Sequence, residues 1–416
     1  MTDAMRVLRN AAWAMALVCA PVFTQPAPQA SPAAAPAAQP AKLASPEILP
    51  DRRVTFRLAA PKATEVLLNG SWDGGKDIAL TKDDKGLWSV TVGPLGAQLW
   101  GYSFSVDGVK VLDPGNAEIQ RDGSRFDNLL FIAGAESDLW EFKDVPHGTV
   151  QSIWYPSPTL KQARRRMVVY TPPGYESTQT RYPVLYLLHG GGGDEDAWNT
   201  MGRASIILDN LIAQGKAKPF LVVMPNGNAA QTVSQGFGFG PTPARQSFQA
   251  PAPPPVQAAG AVPGRPAMPA PRPPQPYEGS YPESLVKDVI PFVEQTYRVI
   301  AQKDSRAIAG LSMGGGHTMS ATNHNPGVFG YIGVFSAGPR QVDPALDGQL
   351  EALKASGVKL YWIGAGSTDF AREGALKLSE LVKQHGFNTS YREDPGAHYW
   401  FIWRTFLGDF GSQLFR

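Results

Sequence analysis

Two rhythms of apolar and polar positions divide this chain. Between Ile48 and Ile132 the apolar residues come in short alternating runs, "RVTFRL", "TEVLLN", "LWSVTV" and "WGYSFSV", punctuated by Gly, Pro, Asp and Asn. Alternation at period two puts every second side chain on one face, which is the pattern of half-buried β-strands. Asp107-Gly108 follows the last of these runs and predicts a tight hairpin, since both residues tolerate the left-handed backbone that a two-residue turn needs. Residues 46–140 are therefore expected to form a small all-β, immunoglobulin-like sandwich.

From about Val145 the rhythm changes. Continuous apolar runs, "RMVVYTPP", "PVLYLLHG", "KPFLVVMPNG", "RAIAGLS", "YIGVFS" and "VKLYWIGAG", are interleaved with "GRASIILDNLIAQG", "ESLVKDVIPFVEQTY" and "REGALKLSELVKQHG", whose apolar residues recur at helical spacing. Runs without alternation suit strands buried on both faces, and strand–helix succession implies a doubly wound, mostly parallel sheet covered by helices. The expected class is α/β over 145–416, preceded by the sandwich.

Three stretches carry neither rhythm. Residues 1–24 open with Arg6 and Arg9 and then run apolar from Ala11 to Ala20, the plan of a secretory signal peptide and too short to span a bilayer comfortably. Cleavage beyond Cys19, the sole cysteine, leaves a mature chain with no thiol, disulfide or cysteine-based zinc site. Residues 25–45 read as an Ala/Pro-rich linker. Residues 241–276 hold 13 prolines and no acidic residue, which excludes a central strand or helix interior and predicts a disordered insertion in the α/β domain. No later run is long and apolar enough for a membrane helix, so the expected location is periplasmic or secreted. Lys+Arg is 38 against 36 Asp+Glu, and a net charge of +2 provides no electrostatic footprint for nucleic acid.

The candidate chemistry begins at "AGLSMGGGHTM", where Gly310 and Gly314 flank Ser312 at two residues on either side. A strand that turns sharply into a helix needs small residues about the turn, and G-x-S-x-G is the pattern that lifts a serine oxygen above a sheet. A serine hydroxyl needs a base, usually a histidine oriented by a carboxylate, and in this topology the order is Ser, acid, His. His317 and His324 lie on the helix leaving the turn, and His385 reads as a helix C-cap before Gly386, which leaves His398 in "DPGAHYWF". For the acid, Asp369 follows the strand "VKLYWIGAG", the end at which open α/β sheets carry their chemistry. Asp394, four residues before His398, is its main rival, while Asp343 and Asp347 sit in a Pro/Gly-rich segment read as loop. "HGGGG" after the strand "YLL" offers backbone N–H donors for an oxyanion, with Gly191 and Met313 the expected pair and His189 structural.

These motifs resemble a known family. "YPVLYLLHGGGGDEDAW", "GRASIILDNLIAQGKAKPFLVVMPNG", "IAGLSMGGG", "IGAGSTDF" and "PGAHYWFIWRTFL" are similar in order and spacing to the esterase D-like, carbohydrate esterase family 1 enzymes, notably bacterial feruloyl esterases, over most of 145–416. The resemblance implies an α/β-hydrolase fold, a Ser312–His398–Asp369 triad and an oxyanion hole from Gly191 and Met313. The Pro-rich stretch departs from the family pattern. "VTFRLAAPKATEVLLNGSW", "GLWSVTV" and "YSFSVDGVKVLDPGN" resemble the family 48 carbohydrate-binding module. Trp72, Trp88, Trp100 and Tyr102 are its candidate sugar-stacking residues, with core packing the stronger reading for Trp88 and Tyr102.

The combined expectation is a serine esterase acting on feruloyl or other acyl esters of plant polysaccharide or oligosaccharide, with no metal and no organic cofactor. Trp198, Phe370, Tyr399 and Trp400 are the candidate lining of an aromatic acyl pocket. Expected partners are a small or polysaccharide-linked ester, with no nucleic acid and no membrane span; the oligomeric state is left open. An acyltransferase using a sugar or lipid acceptor, and a non-catalytic glycan-binding protein, are the alternatives. The sandwich is expected to serve as a second attachment point on polymers, leaving the catalytic domain sufficient for small esters.

Overall fold

The computed structural model describes residues 44–122, 125–230, 276–339 and 344–416. The expected signal peptide, nearly all of the Ala/Pro-rich linker, almost the whole Pro-rich insertion and Asp343 lie outside the described residues.

Eight strands build the central sheet: β1 (Thr149–Ser157), β2 (Gln162–Thr171), β3 (Val184–Leu188), β4 (Leu221–Pro225), β5 (Arg306–Leu311), β6 (Tyr331–Phe335), β7 (Leu360–Gly366) and β8 (Thr389–Asp394). Their order is β1-β2-β4-β3-β5-β6-β7-β8. β1 and β2 run antiparallel to their neighbours, and the rest are parallel. Every residue of β3, β4, β6 and β7 is buried, which is why those runs are apolar without alternation. The two faces still part at period two. Val184, Tyr186 and Leu188 enter one core, beneath the helices Met313–His324, Pro344–Ala355 and Arg372–Gln384. Leu185 and Leu187 enter the other, against the helices Ala204–Ala213 and Trp400–Gln413. The sheet is therefore the doubly wound α/β-hydrolase arrangement expected.

Three elements differ from the sequence reading. Asp347 lies on the helix Pro344–Ala355, not in a loop; Leu350 and Leu353 seat that helix on the core. The segment 281–296 is helical as expected but contains an irregular wide turn over Leu285–Val289. Pro291 lacks the N–H that a regular turn would bond backwards, and the wider turn absorbs the gap. The helix Trp400–Gln413 replaces a stretch read only as a motif.

The N-terminal region is the expected sandwich of two antiparallel sheets, ordered 47–48, 54–59, 87–92, 81–82 and 78–79, 66–70, 99–106, 125–131, 119–122. Val54, Phe56 and Leu58 alternate inward to meet Val66, Leu68, Tyr102 and Phe104. Asp107 and Gly108 make the hairpin turn with φ of 48° and 83°. Trp72, Trp88 and Tyr102 are buried in this core, whereas Trp100 is half-buried at its edge.

The sandwich is not a separate body on a string. Leu99 and Leu129 of the sandwich belong to the same buried cluster as Trp198, Phe406 and Phe410 of the α/β domain. Arg121, 8 % exposed, pairs with Asp194 and Asp196, and Thr200 donates to the Arg121 carbonyl at 3.2 Å. The short 3₁₀ turn Asp138–Trp140 leads out of the sandwich and is stapled by Asn210, whose amide donates to Leu139 and Glu141 carbonyls at 2.9 Å each. Shared apolar burial and buried ion pairs make this junction resemble a domain interior more than a flexible linker.

Candidate active site

Strand β5 ends at Leu311, and Ser312 turns the chain with φ 53° and ψ −115° before the helix Met313–His324 begins. This is a costly backbone for a residue with a Cβ, and such strain persists only where the surroundings over-determine it. Here they do. The Ser312 N–H donates to the Phe335 carbonyl at 2.9 Å, and the Gly316 N–H donates to the Ser312 carbonyl at 3.1 Å. The flanking glycines answer to close approach. A Cβ on Gly310 would lie 2.3 Å from the Gly314 carbonyl, and one on Gly314 would lie 2.5 Å from the His189 carbonyl oxygen.

His398 lies between β8 and the helix Trp400–Gln413. Its Nδ1 bonds both oxygens of Asp369, at 2.9 and 3.1 Å, which leaves Nε2 for another partner. Asp369 follows β7 and is 5 % exposed. Burial alone would push its carboxyl up. Hydrogen bonds from His398, from the Ser336 hydroxyl and from the Ala371 N–H, the last at 2.8 Å, outweigh this and hold it below the ordinary aspartate value. Asp394 instead accepts from Arg392 at 2.9 and 3.1 Å. Ser336 and Trp403 were not anticipated. The Trp403 ring N–H donates to Ser336 Oγ at 2.9 Å, and its plane stands at 89° to the His398 ring, 4.9 Å away. The signal for Ser336 was its place at the end of β6, one strand over from the serine turn.

Ser312 and His398 open onto one cavity of about 530 Å³, together with Gly190 and Gly191. The glycine loop is held from behind. His189 is buried; its Nε2 accepts the Gly227 N–H at 2.8 Å, and burial depresses it to about 4, so it stays neutral. The Asn228 amide donates to the Gly193 carbonyl at 2.8 Å. Asp194 meets Arg121, and Glu195 meets Arg166 at 3.1 Å and accepts from Asn226 at 2.8 Å. Burial and the neighbouring Glu195 push the Asp194 carboxyl up to about 7 against the pull of Arg121. Gly191 has open space where a side chain would stand. Met313 is the first residue of its helix, so its N–H is among those without an intrahelical acceptor.

The other candidates divide. Tyr399 and Trp400 line the cavity. Trp198 does not: it is 1 % exposed, donates its ring N–H to the Leu188 carbonyl at 2.9 Å and stands at 90° behind Trp400, 5.2 Å away. Its expected place in the pocket is corrected to support of the pocket's wall. Phe370, also expected in the pocket, does not line the cavity: it is 65 % exposed, with its ring 4.2 Å from that of His398. Of the remaining histidines, His317 is half-buried with its Nδ1 turned inward near Gly227, and desolvation depresses it to about 4. His324 stacks on Tyr277, and His385 caps the helix Arg372–Gln384. Among the described residues no group of three or more His, Cys, Asp or Glu is placed to hold a metal ion, and no helix is long and apolar enough to cross a membrane.

A strained serine at a strand–helix turn and a histidine–aspartate pair at the ends of neighbouring strands define an α/β-hydrolase site. The family model described as "Putative esterase" matches residues 157–255 and 262–409, and the chain belongs to this family of carboxylic ester hydrolases. It is 31% identical over 368 residues to an endo-1,4-beta-xylanase/feruloyl esterase of Xylanibacter ruminicola, covering 87% of this chain and 44% of the relative. An esterase of Mycobacterium tuberculosis is 28% identical over 170 residues, 38% of this chain and 28% of the relative. The chain thus spans less than half the length of these curated relatives. Among solved structures, the enterobactin esterase of Shigella flexneri in the presence of enterobactin shares the fold, with TM-score 0.58, 16% identity, and coverage of 86% of this chain and 92% of that one.

Proposed function

We propose that the protein is an exported serine esterase that hydrolyses feruloyl or related aromatic acyl esters of plant oligosaccharide or polysaccharide. The observation that carries this reading is the Asp369 carboxylate on His398 Nδ1, with His398 and the strained Ser312 on one cavity. In the first half-reaction Ser312 Oγ attacks the ester carbonyl and His398 Nε2 takes its proton. The tetrahedral oxyanion is held by the N–H groups of Gly191 and Met313, and its collapse expels the alcohol, which receives the proton from His398. Water, deprotonated by His398, then attacks the acyl-enzyme, and the acid leaves with Ser312 restored. Asp369 fixes the imidazole tautomer and stabilises the imidazolium, a role that its lowered pKa suits because it stays ionised throughout.

The aromatic acyl preference rests on Met201, Trp400, Phe401 and Trp403 in the cavity wall, and the feruloyl assignment on the Xylanibacter relative. Export rests on the charged-then-apolar opening of the chain. The test is covalent labelling by a fluorophosphonate, expected at Ser312 in one-to-one stoichiometry and absent in Ser312→Ala, with turnover of a panel of feruloyl, acetyl and short aryl esters. Labelling elsewhere, or unaltered turnover by Ser312→Ala, would overturn the mechanism.

A further inference from the structure

The cavity above Ser312 has two unlike walls. The α/β domain contributes a mainly aromatic one, through Met201, Trp400, Phe401 and Trp403, together with the nearly buried Arg404. The sandwich contributes the other, through Ser71, Asp73, Gln98, Trp100, Gln120 and Asp127. Apart from Trp100, each of these six carries an uncharged polar group or a carboxylate, and none is a cation. The wall is built rather than incidental. Gln98 is 9 % exposed, and its side-chain oxygen is buried without a hydrogen-bond partner, a group whose desolvation goes uncompensated until something donates to it. Trp100 is fixed in place: its ring N–H donates to the Gly96 carbonyl at 3.0 Å, and its plane stands at 86° to Trp72, 6.3 Å away. Asp127 is steadied by Lys110 at 2.7 Å, and Ser71 Oγ by the Gly101 N–H at 3.0 Å.

We propose that this sandwich wall is the subsite for the alcohol portion of the ester, a neutral sugar, so that the sandwich is part of the active site and not a remote anchor. The proposal rests on the esterase reading above. An immobilised aromatic edge ringed by hydrogen-bond acceptors and amides suits a polyol with apolar C–H faces and a fringe of hydroxyls. Hydroxyls donate, and Gln98 Oε1, Asp73 and Asp127 accept. The carboxylates Asp73 and Asp127 on this wall disfavour a uronic acid; the arginine of the cavity, Arg404, lies on the opposite wall, 2 % exposed, with its Nε donating to the Met201 carbonyl at 2.8 Å. An aromatic acyl ester of a neutral sugar presents the same two chemistries across its carbonyl that the cavity presents about Ser312. The buried contacts of Leu99, Leu129 and Arg121 hold the wall at a fixed place relative to the serine, so the sugar is positioned rather than merely concentrated.

The full chain, Trp100→Ala and Gln120→Ala are compared on two esters of one acid, methyl ferulate and a feruloyl ester of a neutral pentose. Circular dichroism and melting confirm the fold of each variant, and the half-buried Gln120 on the edge strand Ile119–Asp122 keeps the test alive if Trp100→Ala unfolds. Trp100→Ala is expected to lower kcat/KM on the sugar ester by about 10–100-fold and Gln120→Ala by about 3–10-fold, with methyl ferulate changed less than about threefold. Equal losses on both esters, or no loss on either, would overturn the subsite. A parallel measurement is saturation-transfer NMR of an unesterified neutral pentose disaccharide, expected to give contacts that Trp100→Ala and Gln120→Ala weaken and that galacturonic acid does not share. If neither ester turns over yet the sugar contacts depend on Trp100, the esterase reading fails while the sugar subsite stands. Sugar contacts insensitive to both variants would refute the subsite whatever the turnover.

Discussion

Gly314 and Gly316 are two residues apart in one helix and should answer oppositely to the same substitution. A Cβ at Gly314 would lie 2.5 Å from the His189 oxygen and 2.6 Å from the Leu188 oxygen. An ordinary C···O contact is about 3.3 Å or more, so the helix start and the end of β3 must part by roughly 0.8 Å. Both obstacles are backbone, and no rotamer change relieves them. Overpacking of this kind costs about 1–3 kcal/mol, and a backbone clash belongs at or above the top of that range; a gain in helix propensity of about 1 kcal/mol offsets part of it. Gly314→Ala is therefore expected to lose about 2–3 kcal/mol. Gly316 has nothing within 4 Å of its would-be Cβ, so Gly316→Ala keeps only the propensity gain, about 0.5–1 kcal/mol. The gap of about 3 kcal/mol is read from urea midpoints at constant slope. Activity provides a second reading. The parted strand end leads directly into Gly190 and Gly191, and loss of an oxyanion donor costs about 10²–10³ in kcat. A Gly314→Ala protein as stable and active as the parent, or a Gly316→Ala protein less stable than Gly314→Ala, would refute the close-approach account of this turn.

Asp369→Asn is expected to lower kcat by about 10⁴, since the amide can favour the wrong tautomer of His398, whereas Asp394→Asn, which loses only its bonds with Arg392, should stay within about threefold of the parent; steady-state kinetics decide, and the reverse ranking would reassign the acid. Because the folded Asp369 carboxyl lies below its ordinary value, its contribution to stability is present above the unfolded aspartate value and is lost as pH falls through the folded one; wild type should thus lose more stability on acidification than Asp369→Asn, and equal acid slopes would contradict the assigned hydrogen bonds. Trp198→Ala should cost about 3–5 kcal/mol of stability through the cavity it leaves, and Phe370→Ala about 0.5 kcal/mol or less, a contrast that thermal melting resolves. Arg121→Leu strands Asp194 in a buried position and is expected to cost about 3–5 kcal/mol, with a drop in turnover of small esters as well as sugar esters.

The strands of the α/β domain were legible because two-sided burial leaves an apolar run with no other explanation, as in β3 and β7. The serine turn was legible for a similar reason: glycines at 310 and 314 answer to contacts within a few residues and one neighbouring strand. The helix Trp400–Gln413 was not, because it buries Ile402, Trp403, Phe406, Leu407 and Phe410 on a broad face and shows no narrow apolar stripe. Trp198 was misplaced for a related cause. Adjacency to a motif in sequence says nothing about which side of the loop an indole takes, and this ring is committed by its N–H to the Leu188 carbonyl. Nothing in the sequence singles out the acids of "GGGGDED", since their partners Arg121, Arg166 and Asn226 lie far away in the chain.

Those acids bear on what the sandwich does. The loop that follows β3 carries Gly190 and Gly191 into the cavity and continues into Asp194 and Glu195. Glu195 is held by Arg166 of β2 and by Asn226 after β4, so one side of the loop is pinned to the sheet. Asp194 is held by Arg121, so the other side is pinned to the sandwich. A carboxylate buried this deeply is costly without its cation. Undocking of the sandwich would leave Asp194 to take up a proton or swing toward solvent, and the second response moves the backbone that carries the glycines. A tether could be cut without touching the chemistry. A wall whose buried arginine pins the glycine loop cannot, and the contact that holds the cavity-lining Trp100 and Gln98 in place also holds the loop of Gly190 and Gly191, to which the proposed oxyanion donor belongs.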